Sequence, residues 1–170
     1  MIKGISLAVM VLALSVSGCC MGGGGSAPAP IQIAGPGFTP DPTTATGLAG
    51  GVQQASALAA SDANGNPCLG NVPLTAQHTV HVGAAIPLLR VLVSGTQDST
   101  LVVRGPTGTF YCNDDSGDPG NSLNPVVDIA NAAPGDYAVY VGAYSSDSTL
   151  SSYTIGFTAT PGTFPTQVLH

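Results

Sequence analysis

Short runs of apolar and β-branched residues alternate with clusters of Gly, Pro, Asn and Asp along most of the chain after Thr43. Runs of this length, bounded by turn residues, predict β-strands. The predicted strands are Thr75–Val82, Ile86–Val93, Thr100–Arg104, Thr109–Cys112, Pro125–Ile129, Tyr137–Val141 and Tyr153–Phe157, with a weaker candidate at Gly51–Leu58. Seven or eight such strands predict an all-β, jelly-roll-like antiparallel β-sandwich.

Local signals refine this pattern at two places. Gly105-Pro106-Thr107-Gly108 fits a tight turn, because Pro fixes φ at the second turn position. The flanking strands are therefore expected to form a hairpin. The alanine-rich piece around residues 55–60 is the place where helix competes with strand.

The first 18 residues have the pattern of a secretory signal peptide. Lys3 supplies a positive charge, and Ile5–Leu14 is an apolar stretch that is too short to span a bilayer stably. The small residues Ser17 and Gly18 then precede Cys19. An ordinary signal peptide with a chance cysteine is the alternative.

The four residues Val16-Ser17-Gly18-Cys19 resemble the bacterial lipobox. The resemblance implies that Cys19 is acylated and becomes the new N-terminus, which would anchor the protein to a membrane. Several acyl chains on one residue hold firmly, since each buried methylene contributes about 0.8 kcal/mol. Cys20 rather than Asp follows the anchor, which favours the outer membrane over the inner membrane.

Composition then divides the rest of the chain. Residues 19–47 are rich in Gly, Pro and Thr, and we expect a lipidated N-terminus followed by a flexible linker. The β-sandwich domain is expected over residues 48–160. Residues 161–170 are expected to be a C-terminal tail.

The charged residues are few and mostly acidic. The chain has nine acidic residues, all of them Asp, and after loss of Lys3 only two arginines oppose them, for a net charge of −7. This balance argues against nucleic acid as a partner and against electrostatic adhesion to anionic lipid. An acidic chain is compatible with binding of a cation.

Four cysteines have to be assigned. A lipidated Cys19 cannot pair, whereas Cys68 and Cys112 both lie in the predicted domain, and an extracytoplasmic compartment permits a disulfide between them. Cys20 is left free, acylated or paired with another molecule.

The segment from Leu101 to Phe157 resembles bacterial pre-peptidase C-terminal domains. The matching motifs are Leu101–Gly108, Cys112–Asp115, Pro134–Gly142 and Tyr153–Ile155, and the resemblance extends over roughly residues 52–159. It implies a jelly-roll sandwich that is not itself catalytic. Such domains accompany secreted peptidases, and some bind calcium or extracellular polymers.

The loop Asn113–Asp118 is the best chemical candidate in the sequence. Its oxygen-rich side chains, Asn113, Asp114, Asp115 and Asp118, predict a Ca²⁺ site. The alternative is an Asx-rich turn in which the same oxygens accept backbone N–H groups.

Other possible sites are weaker. His78 and His81 face opposite sides of a strand, so they are not expected to share a metal. Tyrosines 137, 140, 144 and 153 are expected to serve strand packing rather than a sugar-stacking platform. No nucleophile elbow of the form Gly-x-Ser-x-Gly occurs, and no catalytic residue is predicted.

We therefore expect a non-catalytic, membrane-anchored lipoprotein of the bacterial cell envelope. Its sandwich would act as a binding or structural module, with Ca²⁺ as the one cofactor considered. The alternative is a module that binds a polysaccharide or a protein polymer as an accessory to a secreted peptidase, and an uncharacterised hydrolase is a further alternative. An extracellular polymer or an envelope protein is the expected partner.

Overall fold

A computed structural model describes residues 28–120, 122–145 and 150–168. The predicted signal peptide, Cys19, Cys20 and the first part of the linker lie outside these residues. Eleven strands are present in the described part: β1 (Ile31–Ile33), β2 (Thr43–Ala49), β3 (Gln53–Gln54), β4 (Asn71–Val72), β5 (His78–Val82), β6 (Ile86–Gly95), β7 (Ser99–Arg104), β8 (Phe110–Asn113), β9 (Val126–Ala132), β10 (Gly135–Ala143) and β11 (Ser151–Thr158). Two short 3-10 turns, Ala55–Ala57 and Pro165–Gln167, are the helical elements found there.

The strands form two sheets, which confirms the predicted all-β sandwich. The seven-stranded sheet has the order β1-β5-β10-β4-β3, with β7 on the other side of β10 and β8 beyond β7. The four-stranded sheet has the order β2-β11-β6-β9. The strand pairs are antiparallel, apart from β1 and β5, which run parallel at the edge of the larger sheet.

The main core lies between the two sheets. Alternate residues of each strand point inward, and the inward set is aliphatic and aromatic, as in Leu101 and Val103 of β7 and Ile155 and Phe157 of β11. Burial of this apolar surface is the principal stabilising term.

A second, smaller core lies on the outer face of the seven-stranded sheet. Val102 of β7 and its cross-strand partner Cys112 of β8 point away from the main core. They pack against Ala55, Cys68 and Val72, which belong to the segment 51–72. We call this segment the flap, because it covers part of the outer face.

The boundary expected between linker and sandwich was wrong. β1 and most of β2 lie within residues 19–47, yet Ile33 is fully buried and β2 pairs with β11 from Thr43 to Ala49. Partners distant in sequence provide this order, so Pro- and Thr-rich composition alone did not reveal it.

The expected C-terminal tail also needs correction. Residues 161–168 pack against the outer face of the four-stranded sheet, where Val168 is buried. The Arg90 guanidinium donates to the Thr163 carbonyl at 3.0 Å while holding the Asp128 carboxylate through two hydrogen bonds of 2.7 Å. The last two residues lie outside the described part.

Most of the other predicted strands are confirmed to within a few residues. The hairpin between β7 and β8 closes at the predicted turn, where the Gly105 N–H donates to the Thr109 carbonyl at 2.7 Å. The weak candidate at Gly51–Leu58 instead forms the short β3 and the 3-10 turn Ala55–Ala57.

Candidate binding surface at one end of the sandwich

The strands of both sheets meet at one end of the sandwich, which we call the loop end. There β2 ends beside the start of β11, and β10 ends beside the start of β7. Asn124 joins the two sheets, since it donates to the Gly95 carbonyl and accepts from the Ser99 hydroxyl, both at 2.9 Å. The loops that meet here therefore form one surface.

This loop end carries the exposed large hydrophobic side chains of the described part of the chain. Seven large hydrophobic side chains are exposed in the described residues, and all belong to loops or strand ends at the loop end: Leu48, Val52, Leu69, Leu74, Leu123, Tyr144 and Leu150. Exposed apolar groups concentrated in one region are characteristic of binding surfaces.

The predicted Asn113–Asp118 loop also lies at the loop end. The Asn113 side-chain oxygen accepts the N–H groups of Asp114 and Asp115, at 2.9 and 3.2 Å. Its amide nitrogen donates to the Val126 carbonyl at 2.7 Å. Asn113 therefore forms the Asx turn that was the alternative to a metal ligand, and it ties β8 to the start of β9.

Asp118 is buried and serves a different contact. One carboxylate oxygen accepts the Gly120 N–H at 2.8 Å. The other accepts the Thr166 N–H at 3.0 Å and the Thr166 hydroxyl at 2.8 Å. Asp118 thus fastens the C-terminal segment to the loop, a role that the sequence did not indicate.

Asp114 and Asp115 instead lie close to Asp98, a residue that sequence reasoning missed. Desolvation raises the pKa of Asp98, and the charges of Asp115 and Asp114 raise it further. Desolvation likewise raises the pKa of Asp114, with a further contribution from Asp115. No sequence signal marks Asp98 because it lies in a different loop. Among the described residues, no group of three or more metal-ligating side chains has the geometry of a metal site.

The two described histidines are separated by the sheet, as predicted. His78 points into the sandwich, where its Nε2 lies 2.7 Å from the Tyr153 hydroxyl, and burial lowers the pKa of this imidazole. His81 points outward and pairs with Asp136 at 2.7 Å. The strand-packing interpretation holds for Tyr137, Tyr140 and Tyr153, whereas Tyr144 is exposed.

The predicted disulfide between Cys68 and Cys112 is present, with 5.2 Å between the two Cα atoms. It fixes the flap to β8. Burial alone would raise the pKa of Asp62, but hydrogen bonds from Asn66, Asn64 and the Cys112 N–H outweigh that effect and lower it. The carboxylate therefore organises the flap loop beside the disulfide.

An open cleft of about 450 Å³ lies beside this disulfide at the loop end. It is lined by Gln54, Ser56, Cys68, Leu69, Gly70, Asn71 and Tyr144. Sequence reasoning missed it because the lining residues come from the flap and from the end of β10, two segments that are distant in sequence and meet where β4 pairs with β10.

Two glycines allow the flap to lie close to the sheet. A Cβ on Gly142 would overlap the Asn71 carbonyl, so β4 can lie against β10 here only because residue 142 has no side chain. Gly70 has a φ of 83°, and a Cβ there would press against Thr100 and the Ala143 carbonyl. The Thr100 hydroxyl also donates to the Leu69 carbonyl at 2.7 Å. This wall of the cleft is therefore fixed.

No family model and no curated protein matches this chain. Within the described residues, none of the helical elements has the length and apolar character needed to cross a membrane.

Proposed function

We propose that this chain is a non-catalytic lipoprotein of the bacterial cell envelope whose β-sandwich is a binding or structural module. Acyl chains on Cys19 would hold it to the membrane, and residues 20–27 would connect the anchor to the sandwich. Ser17, Gly18 and Cys19 behind an apolar stretch support the anchor, and Cys20 at the next position favours the outer membrane.

The observation that carries this proposal is the Cys68–Cys112 disulfide beside the open cleft. Structural disulfides persist in oxidising compartments outside the cytoplasm, which agrees with export. The bond also gives the loop end a stable recess beside its exposed apolar side chains. These features suit a module that binds a polymer or an envelope protein.

The anchor is tested by labelling the full-length chain with radioactive palmitate in a bacterial host. Replacing Cys19→Ser should abolish the label and release the protein from the membrane fraction. The matched control is Cys20→Ser, which should keep both. Equal labelling of wild type and Cys19→Ser, or loss of label only in Cys20→Ser, contradicts the proposal.

The absence of catalysis belongs to the same proposal. The cleft is lined by amide, hydroxyl and apolar groups, whereas His78 and His81 are engaged by Tyr153 and Asp136. The resemblance to pre-peptidase C-terminal domains favours an accessory role beside a secreted peptidase. An uncharacterised hydrolase is the competing function, and turnover of ester, peptide or glycoside substrates above background would support it.

Calcium stabilisation is a second proposal, supported by the crowded carboxylates at the loop end. The Asn113 side-chain oxygen already accepts two N–H groups, and the Asp118 carboxylate accepts the N–H groups of Gly120 and Thr166. Both residues would therefore contribute less to cation binding than the sequence suggested. Asp114 and Asp115, with Asp98, would be the main oxygen ligands. Desolvation, together with repulsion among these carboxylates, raises the pKa of Asp98 and Asp114, and a bound cation would offset both effects.

A further inference from the structure

We infer that the cleft beside Cys68 binds a neutral saccharide. The inference deepens the proposed binding function by naming a site and a class of ligand. It depends on the chemistry of four side chains, Gln54, Ser56, Asn71 and Tyr144, and on the rigidity of the wall that holds them.

The first argument concerns hydrogen bonding. The Gln54, Ser56 and Asn71 side chains make no hydrogen bond to another residue in the described part of the chain. Gln54 and Asn71 are direct partners in the β3–β4 ladder, so the two amides lie side by side. Each amide offers two donors and an acceptor, and Ser56 adds a hydroxyl. This set matches the adjacent hydroxyls of a sugar ring, which both donate and accept.

The second argument concerns the apolar lining. Tyr144 and Leu69 are 46% and 41% exposed, although large hydrophobic side chains are usually buried. A sugar ring presents C–H groups on its faces and hydroxyls at its rim. An aromatic ring that ends in a hydroxyl is complementary to both, because its body is apolar and its tip is polar.

The third argument concerns charge. The residues that line the cleft include no Asp, Glu, Lys, Arg or His. Asp98 lies nearby, since its carbonyl accepts the Tyr144 N–H at 3.2 Å. The net negative charge of the chain repels polyanions. A neutral ligand is therefore favoured over an acidic one.

The wall of the cleft is rigid before any ligand arrives. The disulfide holds Cys68, Thr100 holds the Leu69 carbonyl, and the Ala55 N–H donates to the Gly70 carbonyl at 2.9 Å. Binding therefore needs little ordering of the backbone, which reduces the entropic cost of association.

An extended peptide fits this site less well. A peptide that adds to a sheet edge needs a row of free backbone groups. The strand beside the cleft, β3, consists of Gln53 and Gln54 alone. Side-chain recognition of a sugar therefore accounts for the lining better than strand addition does.

The test is calorimetric titration of the full-length chain in a zwitterionic detergent, since glycoside detergents would compete. The probes are chitotetraose and cellotetraose, which are neutral, with gelatin as the peptide probe. We expect one tetrasaccharide to bind. Tyr144→Ala should weaken that binding about tenfold or more, whereas Tyr144→Phe should keep it within about threefold. Asn71→Ala and Gln54→Ala should each weaken it about fivefold.

The matched control is Gln32→Ala, which truncates an exposed amide on the edge strand β1, outside the residues that line the cleft. It should bind like wild type. Absence of heat with both sugars, unchanged binding in Tyr144→Ala, or binding of gelatin in place of sugar overturns the inference. A chain that takes up palmitate on Cys19 but binds neither sugar overturns this inference alone and leaves the lipoprotein proposal intact.

Discussion

The imidazole of His78 is hydrogen-bonded to the hydroxyl of Tyr153, and this 2.7 Å contact links the seven-stranded sheet to the four-stranded sheet through the core. The two rings meet edge to face, with centroids 5.8 Å apart. Burial lowers the pKa of His78 and raises that of Tyr153, so each side chain stays neutral around pH 7. A neutral pair can be accommodated there because neither member carries a charge into the apolar interior.

This pair predicts a pH-dependent stability. The pKa of His78 is lower in the folded state than the unfolded value of about 6.5. Unfolded chains therefore bind more protons, and stability is lost as the pH falls below about 6.5 towards the folded pKa. Urea unfolding between about pH 8 and pH 5 should show a smaller loss for His78→Gln than for wild type. His81→Gln, at an exposed histidine, is the control and should follow wild type. Equal losses in wild type and His78→Gln would show that His78 does not set the dependence.

The disulfide should make a large contribution to stability. Cys68 and Cys112 are 44 residues apart, and a cross-link over such a loop is worth about 4 kcal/mol in the chain-entropy model. Cys68→Ser with Cys112→Ser should lower the free energy of unfolding in urea by an amount of this order. Amide hydrogens of the flap should exchange faster in the double variant. Cys20→Ser should leave both measurements unchanged, and a double variant as stable as wild type would contradict the expected role.

The Asp118–Thr166 contact should hold the C-terminal segment in place. Asp118 is 4% exposed and accepts from the Thr166 N–H and hydroxyl as well as from Gly120. Hydrogen bonds to a charged group contribute about 1.5–3 kcal/mol, so Asp118→Ala should destabilise the fold by about that much. Limited proteolysis should then cleave within residues 161–168. Asp136→Ala, at an exposed residue, is the control. If Asp118→Ala resists cleavage as well as wild type does, other contacts are enough to hold the C-terminal segment in place.

Calcium and the crowded carboxylates give a further prediction. The raised pKa of Asp98 and Asp114 means that their charged forms are disfavoured by folding. This unfavourable contribution is present at neutral pH and disappears as the pH falls through the folded pKa values towards the unfolded value of about 3.9. Asp115→Asn should therefore raise the Tm at pH 7, and the gain should shrink on acidification.

Addition of about 5 mM Ca²⁺ tests the metal proposal in the same assay. A ligand at ten times its Kd stabilises the folded state by about 1.4 kcal/mol. Wild type should gain Tm with Ca²⁺, and Asp115→Asn should gain less. Asp136→Asn, in which the exchanged carboxylate lies at the opposite end of the sandwich, should respond like wild type. An unchanged wild-type Tm would dispose of the calcium proposal.

The strands that were predicted correctly are those in which an apolar run and the turn residues at its ends indicate the same strand. The apolar run of β6 and the turn between β7 and β8 are examples, because neighbouring residues determine both. β2 was missed because its sequence, Thr43 to Ala49, is weakly amphipathic and acquires its order from β11, more than a hundred residues away.

The site was predicted less completely than the fold. The Asn113–Asp118 motif was noticed because its oxygens are adjacent in sequence. Which oxygens accept N–H groups depends on Thr166, a long-range partner that no local pattern reveals. The cleft beside Cys68 was missed for the same reason, since its lining combines flap residues with Tyr144, which follows β10 and is distant from them in sequence.

The short edge strand β1 has a mechanical consequence. Its three residues run parallel to β5, from Ile31 beside Val80 to Ile33 beside Val82. If the protein is anchored through Cys19, tension from the envelope enters the sandwich at β1 and acts along the strand, so its hydrogen bonds to β5 are sheared together rather than opened one by one. Release of β1 would transmit the pull to β2, whose seven paired residues bind β11. The sandwich would thus yield first at this short pairing, where Ile33 would leave the core, while the cleft keeps its shape.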